Sequence, residues 1–327
     1  MNYLDKSLNF VMRILVTGGY GFIGSNFINK VIQNPEVELV INVDCCTYAG
    51  NQDNISIELN LGEKLRNVQI DITDTTDLVK DLLELYKITH LVHFAAESHV
   101  DNSIANPDKF IKTNINGTFC LLEASRQYGK LERFHHISTD EVFGSLTDVG
   151  FFTETTPYSP RSPYSASKAA SDHLVNSYYH TYKLPITMSN CSNNYGPRQH
   201  EEKLIPKIIK NIQQGKKVPI YGNGKNIRDW LYVEDHCDAI WEILKKGRTG
   251  ESYNIGGDCE RNNIQILQTI CCLMDSKFED IVEYVEDRKG HDYRYAIDFS
   301  KIKAELNWIP KTNFIEGLMK TIEFYSA

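Results

Sequence analysis

Short apolar runs alternate with helical periodicity through the first half of the chain. Arg13-Ile14-Leu15-Val16-Thr17 predicts a strand, and a helix follows from about Phe22 to Gln33. Leu39 to Asp44, Val68 to Asp71, Leu91 to Ala96 and Phe134 to Thr139 predict four more strands. Helical patterns over Asp74–Tyr86 and Pro107–Tyr128 separate them. Strands that are apolar nearly throughout, alternating with helices, predict a parallel sheet covered on both faces. After about residue 196 the pattern loosens. Pro197, Pro206 and Pro219, with Gly215, Gly222 and Gly224, cut the chain into shorter pieces.

Ligands of such sheets sit at the carboxyl ends of the strands. The chemically notable residues fall there: Gly18, Asp44, Asp71, Ala95 to Ser98, and Thr139 to Glu141. Gly18, Gly21 and Gly24 follow the first strand and open a helix. Without side chains they let the backbone turn tightly and approach a pyrophosphate, which the helix N-terminus then favours. Asp44 ends the second strand, where a carboxylate accepts hydrogen bonds from ribose hydroxyls and repels a 2′-phosphate. The expected cofactor is therefore NAD rather than NADP. The expected fold is α/β: a Rossmann-type doubly wound parallel sheet over residues 12–196, then a smaller mixed C-terminal lobe over 197–327, some of whose segments return to the sheet.

Composition narrows the function. The chain has 327 residues, 41% hydrophobic and 24% charged, as in an ordinary soluble protein. A net charge of -8 argues against nucleic-acid binding. No run of eighteen apolar residues predicts a membrane span. Met1 to Val11 carries Asp5 and Lys6 and reads as a short extension, not a secretion signal. The eight cysteines form no C-x-x-C pair, so reduced thiols in a cytoplasmic protein are expected. The histidines lack metal-ligand spacing; His135 and His136 lie in a predicted buried strand, and no metal is expected.

Two constellations carry chemistry. Tyr164 and Lys168 are four apart, on one face of a helix. With the positive nicotinamide, the ammonium would lower the phenol pKa, and the phenolate could take a substrate proton as hydride leaves the same carbon. Thr139-Asp140-Glu141 ends the fifth strand, facing the same crevice. Asp140 could act as general acid and Glu141 as base if their surroundings push the two pKa values apart.

These residues resemble the extended short-chain dehydrogenase/reductases, and more narrowly the nucleoside-diphosphate-glucose 4,6-dehydratases, the dTDP-glucose enzymes above all. The likeness runs from about Met12 to Tyr325. It is carried by Gly18 to Gly24, Ala95 to Asp101, Ser138 to Gly144, Ser162 to Lys168, Asn190 to Pro197, Lys203 to Pro206, Ile227 to Leu231 and Gly290 to Tyr295. The resemblance implies an internal redox dehydration. Tyr164 deprotonates the sugar 4-hydroxyl, which Thr139 also binds, while the C4 hydride goes to NAD. Glu141 takes the C5 proton, Asp140 protonates the leaving C6 hydroxyl, and the hydride returns to C6. It further implies cofactor contacts from Phe22, Ile23, Asp44, Cys45, Cys46, Thr47, Asp71, Ile72, Phe94, Ala95, Ala96, Ser98, Thr113 and Asn194. Implied substrate contacts are Ser98, Asn193, Lys203, Leu204, Pro219, Ile220, Tyr221, Arg228, Asn263, Asp287, Arg288 and His291, with Arg228 and Arg288 as diphosphate clamps. A homodimer through the Pro107–Tyr128 and Pro163–Tyr182 helices is also implied.

The chain departs from the family pattern at Cys45, commonly Lys, at Tyr20, Phe143 and Lys289, and over Arg198 to Glu202. Competing readings are a UDP-glucose dehydratase, a nucleotide-sugar 4-epimerase or decarboxylase, and a Rossmann protein that senses NAD without turnover. Epimerases usually lack both carboxyls after the threonine and decarboxylases usually keep only the second, so Asp140 discriminates. A sensor commonly loses the Tyr or the Lys. No residue by itself decides thymine against uracil; the resemblance favours dTDP.

Overall fold

The computed structural model describes residues 11–326. The Met1–Val11 extension lies outside them save for its last residue. Seven strands form one parallel sheet: β1 Met12–Thr17, β2 Val37–Asp44, β3 Leu65–Gln69, β4 His90–His93, β5 Arg133–Thr139, β6 Ile186–Cys191 and β10 Ser252–Ile255. Their spatial order is β10-β6-β5-β4-β1-β2-β3. The chain order reverses between β1 and β4, and a crevice opens there beyond the strand ends. Helices cover both faces: α1 Phe22–Val31, α2 Thr76–Leu85, α3 Thr118–Tyr128, α4 Pro163–Tyr182 and, from the second half of the chain, α6 Val233–Lys246. Between α2 and α6 in sequence, α5 (Leu204–Gln213) belongs to the smaller lobe.

The apolar strands fall where the pattern puts them, with three differences. The third strand is Leu65–Gln69, not Val68–Asp71, because β2 ends at Asp44, opposite Gln69. It is an edge strand with Arg66, Asn67 and Gln69 exposed, so it lacks an apolar signal. The fourth ends at His93; Phe94 to Ala96 peel away over Gly18. The long Pro107–Tyr128 helix is interrupted by a π-helical stretch, Ile111–Gly117. That stretch turns Asn114 inward. Its amide accepts from the Glu97 backbone N–H at 2.9 Å and donates to the Glu97 carbonyl at 3.0 Å and to Ser167 Oγ at 2.8 Å. The loop after β4 is thereby fastened to α4.

β6 is buried along its whole length although Thr187, Ser189 and Asn190 interrupt its apolar run. Those polar groups are satisfied within the sheet. Thr187 and Ser189 bracket the two ring nitrogens of buried His135, at 2.9 and 3.2 Å, and Asn190 donates to the Thr139 carbonyl at 3.1 Å. α4 begins at Pro163 with a capping box between Ser162 and Ser165.

The second packing unit holds a three-stranded sheet, β7 (Asn193–Tyr195), β9 (Ile227–Tyr232) and β11 (Glu260–Asn262), and a parallel pair, β8 (Val218–Tyr221) with β12 (Val282–Val285). With helices α5, α7 (Asn263–Leu273) and α8 (Phe314–Ser326) it encloses its own core around Tyr195, Ile208, Ile209 and Ile266. The chain returns from it to the sheet twice. β10 pairs with β6, and α6 packs Val233, Cys237, Ile240 and Trp241 into the core of α1.

Buried Asp235 on α6 pins the last segment. It accepts from the backbone N–H groups of Lys311 at 3.1 Å and Thr312 at 2.8 Å. Asp235→Ala leaves both donors unpaired and should lower stability by about 2–4 kcal/mol. Urea unfolding checks this through its midpoint.

Candidate active site

The carboxyl ends of β1 to β6 converge on one cleft of ≈ 340 Å³. Its floor is the glycine turn. Gly18 has φ +73°, and a Cβ there would lie 2.7 Å from the Ala95 nitrogen. A Cβ on Gly24 would strike the Gly18 carbonyl. Side chains at either position would push the first helix off the sheet. Gly19 is equally constrained, by Asn42 and Ile28 beneath it.

Asp44 is buried at the end of β2, with each carboxylate oxygen held by one backbone N–H: Tyr20 at 3.0 Å and Cys46 at 2.8 Å. Further lone pairs remain on both oxygens for a diol. The floor without side chains, the N-terminus of α1 and a fixed carboxylate at the end of β2 together fit a dinucleotide with an unphosphorylated ribose.

Every expected cofactor residue lines this cleft except Cys46. Cys46 takes φ +55° and packs against the first core instead. Cys45 does line it; burial and Asp44 push its thiol up to about 11, so it stands as a neutral group beside the Asp44 carboxylate. Asn194 is oriented by buried His236, whose Nδ1 lies 2.9 Å from the amide oxygen.

The reactive residues share the inner wall. Tyr164, Lys168, Thr139, Asp140 and Glu141 all line the cleft. Thr139 Oγ1 donates to Asp140 Oδ1 at 3.2 Å and accepts from the Glu141 N–H at 3.3 Å. Asp140 is 2% exposed, and its other oxygen has no hydrogen-bond partner. Burial, then Glu141 and Asp229, push its carboxyl well above the usual range. Glu141 is also raised by burial, but Arg228, Lys203 and Arg288 pull against that. The two neighbours thus sit in unequal fields, Asp140 holding its proton more firmly.

Lys168 donates to the Ile137 carbonyl at 2.7 Å. The lowered phenol expected from the Tyr-Lys pair is not a property of the protein alone. Burial and then Glu141 push Tyr164 well up. A cation at the cleft must supply the lowering.

The expected substrate residues divide. Ser98, Thr139, Asn193 and Lys203 line the cleft, and Lys203 Nζ donates to the Ser98 carbonyl at 2.9 Å. Tyr221, Arg228, Asp287, Arg288 and His291 form an adjoining cluster in the second unit. Arg228 stacks on Tyr295 at 4.2 Å, and Arg288 on Tyr221 at 4.8 Å. Arg288 also pairs with Asp101 at 3.0 Å, and His291 with Asp287 at 2.6 Å. Arg228 and Arg288 reach the carboxyls electrostatically. Pro219 and Asn263 stand on β8 and at the start of α7, away from the cleft. Ile220 and Leu204 pack their side chains into or against the second core.

Sequence reasoning missed a bridge over the cleft. Tyr48, after β2, donates to Glu202 at 3.2 Å and accepts from Asn102 at 3.3 Å. Its ring meets His200 edge-on at 5.5 Å. Gln199, His200 and Glu202 also line the cleft, from the segment that departs from the family pattern. No spacing signals a contact across 154 positions. Among the described residues no cluster of His, Cys, Asp or Glu could hold a metal ion.

Comparison with known proteins agrees with this geometry. The family described as GDP-mannose 4,6 dehydratase matches residues 15–321. The dTDP-glucose 4,6-dehydratase of Neisseria gonorrhoeae is 49% identical over 95% of both chains. That of Escherichia coli is 49% identical over 96% of this chain and 93% of its own. Among solved structures, the Streptomyces venezuelae dTDP-glucose 4,6-dehydratase DesIV, in complex with NAD, superposes with TM-score 0.91 at 43% identity, covering 96% of this chain and 97% of its own. A Thermotoga maritima UDP-glucose 4-epimerase gives TM-score 0.88 at 30% identity, covering 96% and 99%.

The raised Asp140 carboxyl costs stability over a definite pH window. As pH climbs through the ordinary Asp range, the unfolded chain ionises this group while the folded chain resists. Asp140→Asn should therefore raise Tm by about 2–4 °C at neutral pH. The gain should vanish below the ordinary Asp range, as calorimetry across pH would show.

Proposed function

The chain belongs to the GDP-mannose 4,6-dehydratase family, and from that premise we propose that it converts dTDP-glucose to dTDP-4-keto-6-deoxyglucose and water with a tightly held NAD. The observation that carries this reading is the buried pair Asp140-Glu141 at the end of β5, raised unequally and facing the Tyr164-Lys168 wall. An epimerase needs no acid beside the sugar C6; a dehydratase does.

Gly18 to Gly24 and Asp44 would hold NAD, which when bound would supply the hydride acceptor and, once reduced, the hydride donor. Tyr164 takes the proton of the 4-hydroxyl, and Thr139 orients that hydroxyl. The ketone acidifies the C5 proton, and Glu141 removes it, its carboxylate favoured by Arg228, Lys203 and Arg288. Asp140, still protonated, gives its proton to the C6 oxygen as water leaves, and Glu141 returns its proton to C5 when the hydride comes back to C6. Arg228 and Arg288, planar and already stacked on tyrosines, hold the diphosphate. Their charge then serves both binding and the base. The same roles assign 12–196 mainly to the cofactor and 197–327 mainly to the nucleotide-sugar.

The assembly we assign is a homodimer through the Pro107–Tyr128 and Pro163–Tyr182 helices, which leave Ile111, Phe119 and Tyr182 exposed. Sedimentation at the chain mass of 37.5 kDa would overturn it. The eight unpaired cysteines suit the reducing cytoplasm, and among the described residues no helix is long and apolar enough to cross a membrane.

Incubation with dTDP-glucose should give the alkali-induced absorbance of a 4-keto sugar. UDP-glucose lacks the thymine methyl and adds a ribose 2′-hydroxyl; the methyl alone should make it about fivefold poorer in kcat/KM. No keto product from either substrate sinks the proposal. Asp140→Asn should slow water loss roughly a hundredfold while single-turnover NAD reduction stays within about twofold of the parent.

A further inference from the structure

α4 carries more than the Tyr-Lys pair. Tyr164, Lys168 and Asp172 stand at successive four-residue steps, and all three are buried. They lie on one face of the helix, facing the last turn of β5. Lys168 reaches the Ile137 carbonyl. Asp172, one turn further on, takes the residues on either side. Its Oδ2 accepts from Ser138 Oγ at 2.7 Å and from Tyr158 Oη at 3.0 Å, and its Oδ1 from His136 Nε2 at 3.1 Å. A fully buried carboxyl with three donors and no solvent is built to be an anion.

We propose, on the reading of the site given above, that Asp172 is a positioning residue for the hydride steps. It is the buried countercharge that keeps Lys168 an ammonium and so sets the proton affinity of Tyr164.

The surroundings leave this task to no other group. Burial pulls Lys168 toward the neutral amine, and Asp172 is the chief charge opposing it. From β4, His93 is held neutral by burial, its ring nitrogens at 2.8 and 3.0 Å from Thr17 and Thr118. From β5, burial and then Lys168 push His136 down to about 4, so its neutral ring donates Nε2–H to Asp172. From β6, burial and then Asp140 push Cys191 up to about 12, which keeps the thiol neutral. Tyr158, from the loop before α4, is raised by burial and then by Asp172, and serves only as a donor. Tyr164 faces Lys168 from one turn before it on α4.

Burial pushes the Asp172 carboxyl up, but the His136 and Ser138 hydrogen bonds and the Lys168 charge outweigh this and leave it below its ordinary value. With the anion present, Lys168 is held toward the ammonium form, which stabilises the Tyr164 phenolate. Without it, the amine deprotonates and the phenol rises.

Asp172→Asn preserves size and an acceptor for Ser138 and Tyr158; it removes the charge and turns a donor toward His136, whose neutral ring can meet it in the other tautomer. Stopped-flow NAD reduction by dTDP-glucose, in a single turnover across pH, reads the effect. The limb that reports Tyr164 deprotonation should move at least one unit to the alkaline side, a rate loss of about tenfold on that limb. KM and NAD content should stay unchanged. Labelled-tyrosine NMR of the NAD-bound protein, with Tyr164→Phe to assign the signal, should show the same shift without turnover.

A lower plateau with the limb unmoved, or a rise in KM alone, would mean a purely structural carboxylate and overturn the proposal. Should Asp172→Asn fail to fold, Ser138→Ala with Tyr158→Phe strips two of the three donors. That variant should move the limb the same way by less, and an unmoved limb again overturns the idea. Failure of the dehydratase reading would show separately, as no keto product from the parent protein.

Discussion

Every reactive group in the cleft depends on parallel pairing. Six consecutive strands of one sheet run the same way, so their ends meet at one edge. Each end delivers one component: a bare glycine turn, a carboxylate, a loop, an acid-base pair. An antiparallel sheet would put half of them at the opposite edge. Parallel pairing is stable here because both faces are covered, and the cover includes α6, supplied from far along the chain. The second unit is therefore not an independent attachment. It sends a helix and a strand back into the first, and this sets where its arginines stand relative to the carboxyls.

The cleft is organised by charge taken out of water. Asp140, Lys168 and Asp172 are buried, and Glu141 is half-buried. Burial alone would neutralise them all. What differs is the company each keeps: a second and third carboxyl beside Asp140, three cations facing Glu141, three hydrogen-bond donors around Asp172. Unequal surroundings turn chemically similar groups into an acid, a base and a fixed anion. Hydrophobic packing gives these differences their size, because the same charges in water would scarcely feel one another.

Much of this was legible in the sequence. Apolar runs located β1, β2 and β5, the family resemblance implied a helix over Pro163–Tyr182, and the glycines, Asp44, Tyr164-Lys168 and Asp140-Glu141 all met in one cleft. What escaped had physical reasons. β3 is polar because it is an edge, and β6 hides polar side chains whose partners lie in neighbouring strands. Cys46 turned aside because a positive φ reversed its direction. Tyr48 meets Glu202, and Asp172 meets Ser138 and Tyr158, through folding rather than spacing. Asp172 looked like one more helix residue until its three donors were in place.

The π-helical stretch Ile111–Gly117 carries a consequence of another kind. An α-helix advances about 100° per residue, so one wide turn offsets the helix before it from the helix after it. The segment cannot present one unbroken apolar stripe from end to end. What it needs instead is a count. Asn114 clasps both sides of Glu97 only because the wide turn brings it round, and Gly117 passes Ile72 with no room for a side chain. Losing one residue would restore a regular helix and rotate the clasp away. Along this stretch the fold depends less on which amino acids appear than on how many.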